Sequence, residues 1–253
     1  MSKKDKNNTD VVKEKKHLDS YVSKRVNSLY KKAKRRKVIF TVILSLFLVN
    51  VLMYVGIILT GDQDDPVQIS IDNQDIVGLT LSDNNFQSQS AYLGAPTPKK
   101  MTNITYASIP TVNINNTYGS HNGENYIAYT FELKNNTEMK YDVEEKLIIT
   151  AANRGIEKAI RVMVYTNDVA QIYANPITGT DDPEPVSESY KRYSTPFVDS
   201  YTVLKNTIYD FSPNEIRKYT IVIWIEGSDP DCTDELVGGE FRVAFNFTIK
   251  GDK

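Results

Sequence analysis

Between Val38 and Thr60 the chain runs for 23 residues without an Asp, Glu, Lys, Arg or His, and beyond that run its apolar residues alternate with polar ones at a period of two. As a helix rising about 1.5 Å per residue the run covers roughly 34 Å, enough for a hydrocarbon core of about 30 Å. Sixteen of its residues are Leu, Ile, Val or Phe, which sum to roughly −5 to −10 kcal/mol of insertion free energy. Asn50 and Gly56 weaken that sum without reversing its sign. The pattern predicts one transmembrane helix over 38–60.

The period-two segments predict strands. Val67, Ile69 and Ile71 alternate with Gln68, Ser70 and Asp72 soon after the apolar run. Ile127, Tyr129, Phe131 and Leu133 alternate with Ala128, Thr130 and Glu132, so one face of that strand is expected in a core and the other in water. Val143, Glu145, Leu147 and Ile149 form a less regular set, and Ile160, Val162 and Val164 a cleaner one. The last strand places Phe241, Val243, Phe245, Phe247 and Ile249 on one side and Arg242, Ala244, Asn246, Thr248 and Lys250 on the other. In the stretch from Tyr219 to Ile225 both alternating sets are apolar, which predicts a central strand covered on both faces.

Turn-forming clusters at 118–123, 178–185 and 212–215 separate these runs, and no long helical pattern follows residue 61. Seven or more strands without helical layers predict a mainly β fold, a jelly-roll or immunoglobulin-like sandwich with an open barrel as the alternative. The expected organisation is a tail over 1–37, a span over 38–60 and a β-sandwich domain over 61–253. The Pro- and Ser-containing stretch 82–100 fits either a long loop of the sandwich or a tether.

Charge sets the expected orientation. Residues 1–37 hold fourteen Lys or Arg against four Asp or Glu, about +10, while 38–253 hold sixteen against twenty-eight, about −12. The block from Lys31 to Lys37 beside the span marks the cytoplasmic side, so the sandwich is expected outside the cell. A cleaved signal peptide has a shorter apolar core and a small-x-small site, whereas this run ends Leu59-Thr60-Gly61-Asp62. Val11, Leu18, Val22, Val26, Leu29 and Ala33 trace a helical stripe through the basic tail, which suits a helix lying on anionic headgroups or a plain topology signal. No aromatic stacking platform accompanies the cations, so nucleic acid is not an expected partner.

Few side chains offer chemistry. Cys232 is the sole cysteine, which rules out an internal disulfide. Of two histidines only His121 follows the span, in a Gly-Ser-His-Asn-Gly turn, and no Gly-x-Ser-x-Gly elbow exists to pair with it. A sortase-like cysteine transpeptidase would use Cys232, His121 and Arg242. Two aspartates beside the thiol disfavour the thiolate that such chemistry needs. The segment from Glu226 to Glu235 carries five carboxylates, with Glu226, Asp229, Asp231 and Asp234 as candidate calcium ligands. Its spacing does not match an EF-hand loop, and a solvated hairpin loop is the commoner origin of such a run. Neither a catalytic set nor a bound cofactor is expected. Asn-x-Thr sequons begin at Asn103, Asn115, Asn135 and Asn246 and are glycan acceptors only in a eukaryotic secretory pathway.

The segments at 119–136, 156–168 and 219–247 resemble recurrent blocks of single-pass surface proteins of Firmicutes and Mollicutes, and more distantly the jelly-roll sandwich of the TasA and camelysin biofilm-matrix family. The Trp-x-Glu-Gly-x-Asp-Pro-x-Cys run from Trp224 is the most specific part. The resemblance implies a bacterial envelope protein with a structural or assembly role and brings no catalytic residues. This chain departs from the matrix proteins in its anchor and basic tail. The expected function is therefore a membrane-anchored, non-catalytic surface protein that meets envelope components or copies of itself. A bitopic signalling or ligand-binding protein is the alternative class.

Overall fold

The computed structural model describes residues 65–252 except 73–77, 97, 99 and 191, together with Arg25, Lys34 and Phe40, which are helical. The chain divides into two compact units, Met1–Gln63 and Asp64–Lys253. Apart from those three residues, the expected tail and span lie outside the described residues. No helix among the described residues is long and apolar enough to cross a membrane.

The second unit is mainly β, and the twelve strands among its described residues form two mixed sheets, consistent with a sandwich. They are β1 Val67–Ile71, β2 Leu79–Ser82, β3 Tyr92–Ala95, β4 Gly119–Ser120, β5 Tyr126–Asn135, β6 Tyr141–Ala152, β7 Ile160–Thr166, β8 Val169–Ala174, β9 Thr195–Pro196, β10 Thr202–Phe211, β11 Ile216–Ile225 and β12 Phe241–Asp252. The first sheet runs β10-β6-β12-β1-β3, and the second β2-β5-β11-β7-β8-β9 with β4 pairing β5. Two pairings are parallel, β1 with β12 and β8 with β9; the others are antiparallel.

Alternation sets which side chains meet between the sheets. Val67, Ile69 and Ile71 of β1, Val143 and Leu147 of β6, and Val243, Phe245 and Phe247 of β12 enter the same core as Phe131, Leu133, Tyr219, Ile221 and Ile223 of β5 and β11. Phe131 stacks on Tyr219 with ring centroids 5.3 Å apart, and Phe245 meets both rings edge-on. Glu145 stands among these apolar groups because its carboxylate is met from both sides. Tyr219 Oη donates to Oε2 at 2.7 Å and Asn206 Nδ2 donates to Oε1 at 3.1 Å. Burial and this carboxylate together hold the Tyr219 phenol well above its usual pKa.

One open alternative is narrowed here and one expectation fails. Of the stretch 82–100, read as a long loop of the sandwich or a tether, residues 82–95 pack within the sandwich: β3 pairs with β1, Ser90 bridges to Leu81, and the Ser82 hydroxyl accepts from the backbone N–H groups of Asn84 and Phe86. Its Ser and Asn residues serve turn geometry inside the sandwich. The supposed wet face of β5 is also dry, since Ala128 and Thr130 are fully buried and Glu132 nearly so. Residues 101–118 cross that face as a strap. Ile109 and Ile114 of the strap join Ala128, Met163, Tyr165, Ile172, Val186, Val222 and Trp224 in a second apolar cluster. The double-apolar pattern of β11 thus reports two cores, one on each side of the second sheet.

Candidate functional site

The loop after β11 turns back over this second core. Ile104 of the strap accepts from Gly227 N and donates to Ile225 O, which fixes the strap against the end of the strand. Glu226 is fully buried beneath it. Its Oε2 accepts from Trp224 Nε1 at 2.9 Å and from Tyr106 N at 3.0 Å, and its Oε1 from the hydroxyl and N–H of Ser228 at 2.6 and 3.3 Å. Four neutral donors around one carboxylate meet the demand that burial makes of it.

Arg161 lies on β7 directly opposite Trp224 and is 1 % exposed. Its Nη1 is 2.7 Å from Asp229 Oδ2, and its Nη2 is 3.9 Å from Glu184 Oε2. Nη1 also donates to Ile160 O and Nη2 to Pro185 O. Asp229 Oδ1 accepts from Asp231 N, and Thr178 Oγ1 donates to Asp231 Oδ2, so the 178–184 and 226–235 loops are stitched together above the guanidinium. Burial raises the Glu184 pKa and nearby Asp229 adds to the rise; Arg161 opposes both.

The four candidate calcium ligands therefore have separate duties. Glu226 binds the strap and Trp224, Asp229 binds Arg161, Asp231 accepts from Thr178, and Asp234 opens an exposed 3₁₀ turn, Asp234–Leu236. Among the described residues no group of three or more His, Cys, Asp and Glu side chains is placed to hold a metal ion. The expected solvated hairpin loop is overturned at Glu226 and Asp229, both buried. The cation that draws this part of the acidic segment inward is Arg161. Sequence reasoning missed it because the strand was read from its alternating set Ile160, Val162 and Val164 alone, with no role given to the opposite face. Val222 and Trp224 carried the signal, because that apolar face of β11 lies beside Arg161 and had to be covered too.

The transpeptidase residues have different surroundings. The two His121 ring nitrogens sit 2.9 Å from Gly119 O and 2.8 Å from Ile114 O, tying β4 to the strap. Cys232 Sγ accepts from Asn103 Nδ2 at 3.2 Å, and Arg242 stands exposed near the start of β12. No hydrogen bond or ion pair among the described residues joins Cys232 to His121.

No protein-family model matches the chain, and no curated protein matches it. Among solved structures it is similar to a β-glucosidase from Kluyveromyces marxianus. The glucose complex aligns at 10 % identity with a TM-score of 0.22, covering 66 % of this chain and 16 % of that one. The selenomethionine-labelled form gives 11 % and 0.22 over the same shares. The chain thus spans about a sixth of the enzyme's length, and a likeness of that size carries no argument.

Proposed function

We propose that the protein is a single-pass, membrane-anchored bacterial surface protein with a structural, adhesive or assembly role and no catalytic activity of its own. Residues 1–37 form the cytoplasmic tail, 38–60 the signal anchor, and the outer unit a jelly-roll or immunoglobulin-like sandwich. The observation that carries this reading is the juxtaposition of a 23-residue uncharged apolar run with a flank of about +10 on one side and a chain of about −12 on the other. The sandwich supports it from a second direction: the buried carboxylates of Glu145, Asp229 and Glu226 are held by Tyr219, Asn206, Arg161, Trp224 and Ser228 within the fold. An anchored domain of this kind acts through its surface, against the lipid bilayer, envelope polymers or another copy of itself.

External protease on intact cells tests the topology. Digestion of the C-terminal unit in intact cells, with the tail retained, is the expected result. Protection of that unit until the cells are lysed contradicts the proposal.

A further inference from the structure

Two tyrosines meet where the strap touches the 175–194 connection between β8 and β9. Tyr106 opens the 3₁₀ turn Tyr106–Ser108 and is half-buried, while Tyr190 is 39 % exposed. Their ring centroids lie 4.7 Å apart with the planes tilted by 31°, at the close end of the range for paired aromatic rings. Among the described residues this is the only aromatic contact between two tyrosines. Tyr106 also meets Trp224 at 6.1 Å, so the pair runs from the second core to the surface.

One loop holds both backbones. Glu226 Oε2 accepts from Tyr106 N at 3.0 Å. Ser228 Oγ donates to Glu226 Oε1 at 2.6 Å and accepts from Glu188 N at 2.9 Å. Tyr190 N in turn donates to the carbonyl and hydroxyl oxygens of buried Ser187. The two phenols are therefore set side by side before any chemistry begins, which removes most of the entropy cost of joining them. No disulfide can tie these covers together, because Cys232 is the sole cysteine.

We infer that Tyr106 and Tyr190 form a dityrosine cross-linking site that staples the strap to the 175–194 connection. The oxidant is hydrogen peroxide acting through a haem peroxidase. One electron leaves the exposed Tyr190 phenol, and its O–H proton passes to water. Exchange between the adjacent rings moves the radical to Tyr106 and restores Tyr190, which a second one-electron step then oxidises again. The two phenoxyl radicals couple through a new bond between ring carbons ortho to the oxygens. The hydrogens on those carbons shift to the oxygens, so both phenols are regenerated. In all, two electrons and two protons leave the chain and one peroxide becomes two waters. Closing the chain between residues 106 and 190 restricts the unfolded state, as a disulfide does, and so stabilises the covered face. The inference rests on the proposed outer placement of the domain for where the oxidant is met; the coupling itself does not depend on topology.

The test treats the full chain, dilute in neutral detergent micelles, with a haem peroxidase and hydrogen peroxide. Three results are expected in the monomer: dityrosine fluorescence, a joined peptide pair carrying Tyr106 and Tyr190 that is lighter by two hydrogen atoms, and a raised melting temperature. Tyr190→Phe keeps the ring and is expected to abolish all three. Tyr201→Phe, which removes a phenol that is 57 % exposed elsewhere, is expected to leave them in place. Melting curves taken before treatment confirm that both variants fold. The inference is overturned if the monomer gains no dityrosine, if the cross-link joins other tyrosines, if Tyr190→Phe leaves its yield unchanged, or if the coupled chain melts no higher than the untreated one. Should the domain prove protected from external protease while the coupling succeeds, the site stands and only the outer placement falls.

Discussion

The two sheets of the sandwich share one core but treat their outer faces in opposite ways. On the first sheet the outward row of β6 and β12 is polar, with Glu144, Lys146, Asn246, Thr248 and Lys250. On the second sheet the outward positions are Ala128, Thr130, Met163, Val222 and Trp224, all buried, with a guanidinium among them. The connecting segments make the difference. The second sheet has the strap 101–118 and two acidic loops laid over it, and Arg161 and Glu226 hold those covers down. The first sheet has none of these among the described residues, and its outward charges stay at the surface. A covered face stabilises the fold through buried contacts, whereas an open charged one is screened by water and contributes little.

Removing one member of the covered ion pair breaks this comparison most severely. Asp229→Ala leaves Arg161 buried without its nearest counter-charge, and a loss of about 3–5 kcal/mol is expected in denaturant unfolding. In the double variant Arg161→Leu with Asp229→Leu the loss should fall well short of the two single losses added together, because each single change strands a charge that the double one removes.

Glu226→Gln comes next. One carboxylate oxygen becomes an amide donor facing donors, so about 1–3 kcal/mol should be lost. The strap should open first, visible as faster amide exchange at Tyr106, whose N–H donates to that carboxylate.

Titration sharpens the contrast. Glu184 has a raised folded-state pKa, so the folded form holds its proton more tightly than the unfolded chain does. Its contribution is fully present below the unfolded pKa and is lost as pH rises through the folded one. On the first sheet Glu144 is lowered, chiefly by its hydrogen bond to Lys250, and near β10 exposed Asp199 is lowered by the Tyr201 and Thr202 N–H groups. Their contributions run the other way, present above the unfolded pKa and lost as pH falls through the folded values. Glu184→Gln should therefore remove the decline in melting temperature between mildly acidic and neutral pH while leaving the acid-side loss in place. An unchanged pH profile would show that Glu184 is not ionising against Asp229 and Arg161.

The smallest effect is expected on the open face. Lys146→Gln should change stability by no more than about 0.5 kcal/mol, in the stabilising direction if relief from Lys205 dominates. A large loss there would mean that Lys146 serves the fold.

Period-two patterning made most of the main core legible. The inward set of β12 and the double-apolar run of β11 sit where alternation puts them, since one buried face and one wet face leave a direct mark on sequence. Other features were not legible because their cause is non-local. Nothing in Ala128-Thr130-Glu132 reports that residues 101–118 return to cover them. The acidic run from Glu226 reads as solvated until Arg161, 65 residues upstream, is placed beside it. Asn135 illustrates the same limit. It opens an Asn-x-Thr sequon, yet it is fully buried, donates to Met139 O and Phe211 O, and accepts from Thr137 N. There the Asn and Thr serve a turn, and the folded chain offers no acceptor.

Trp224 is the chain's only tryptophan and reports directly on the covered face. Its side chain is fully buried, with Nε1 donating to Glu226. The account predicts blue-shifted emission that acrylamide quenches poorly in the folded protein and freely after unfolding. Emission at the wavelength of exposed indole, quenched equally well before and after unfolding, would contradict a closed outer face on the second sheet.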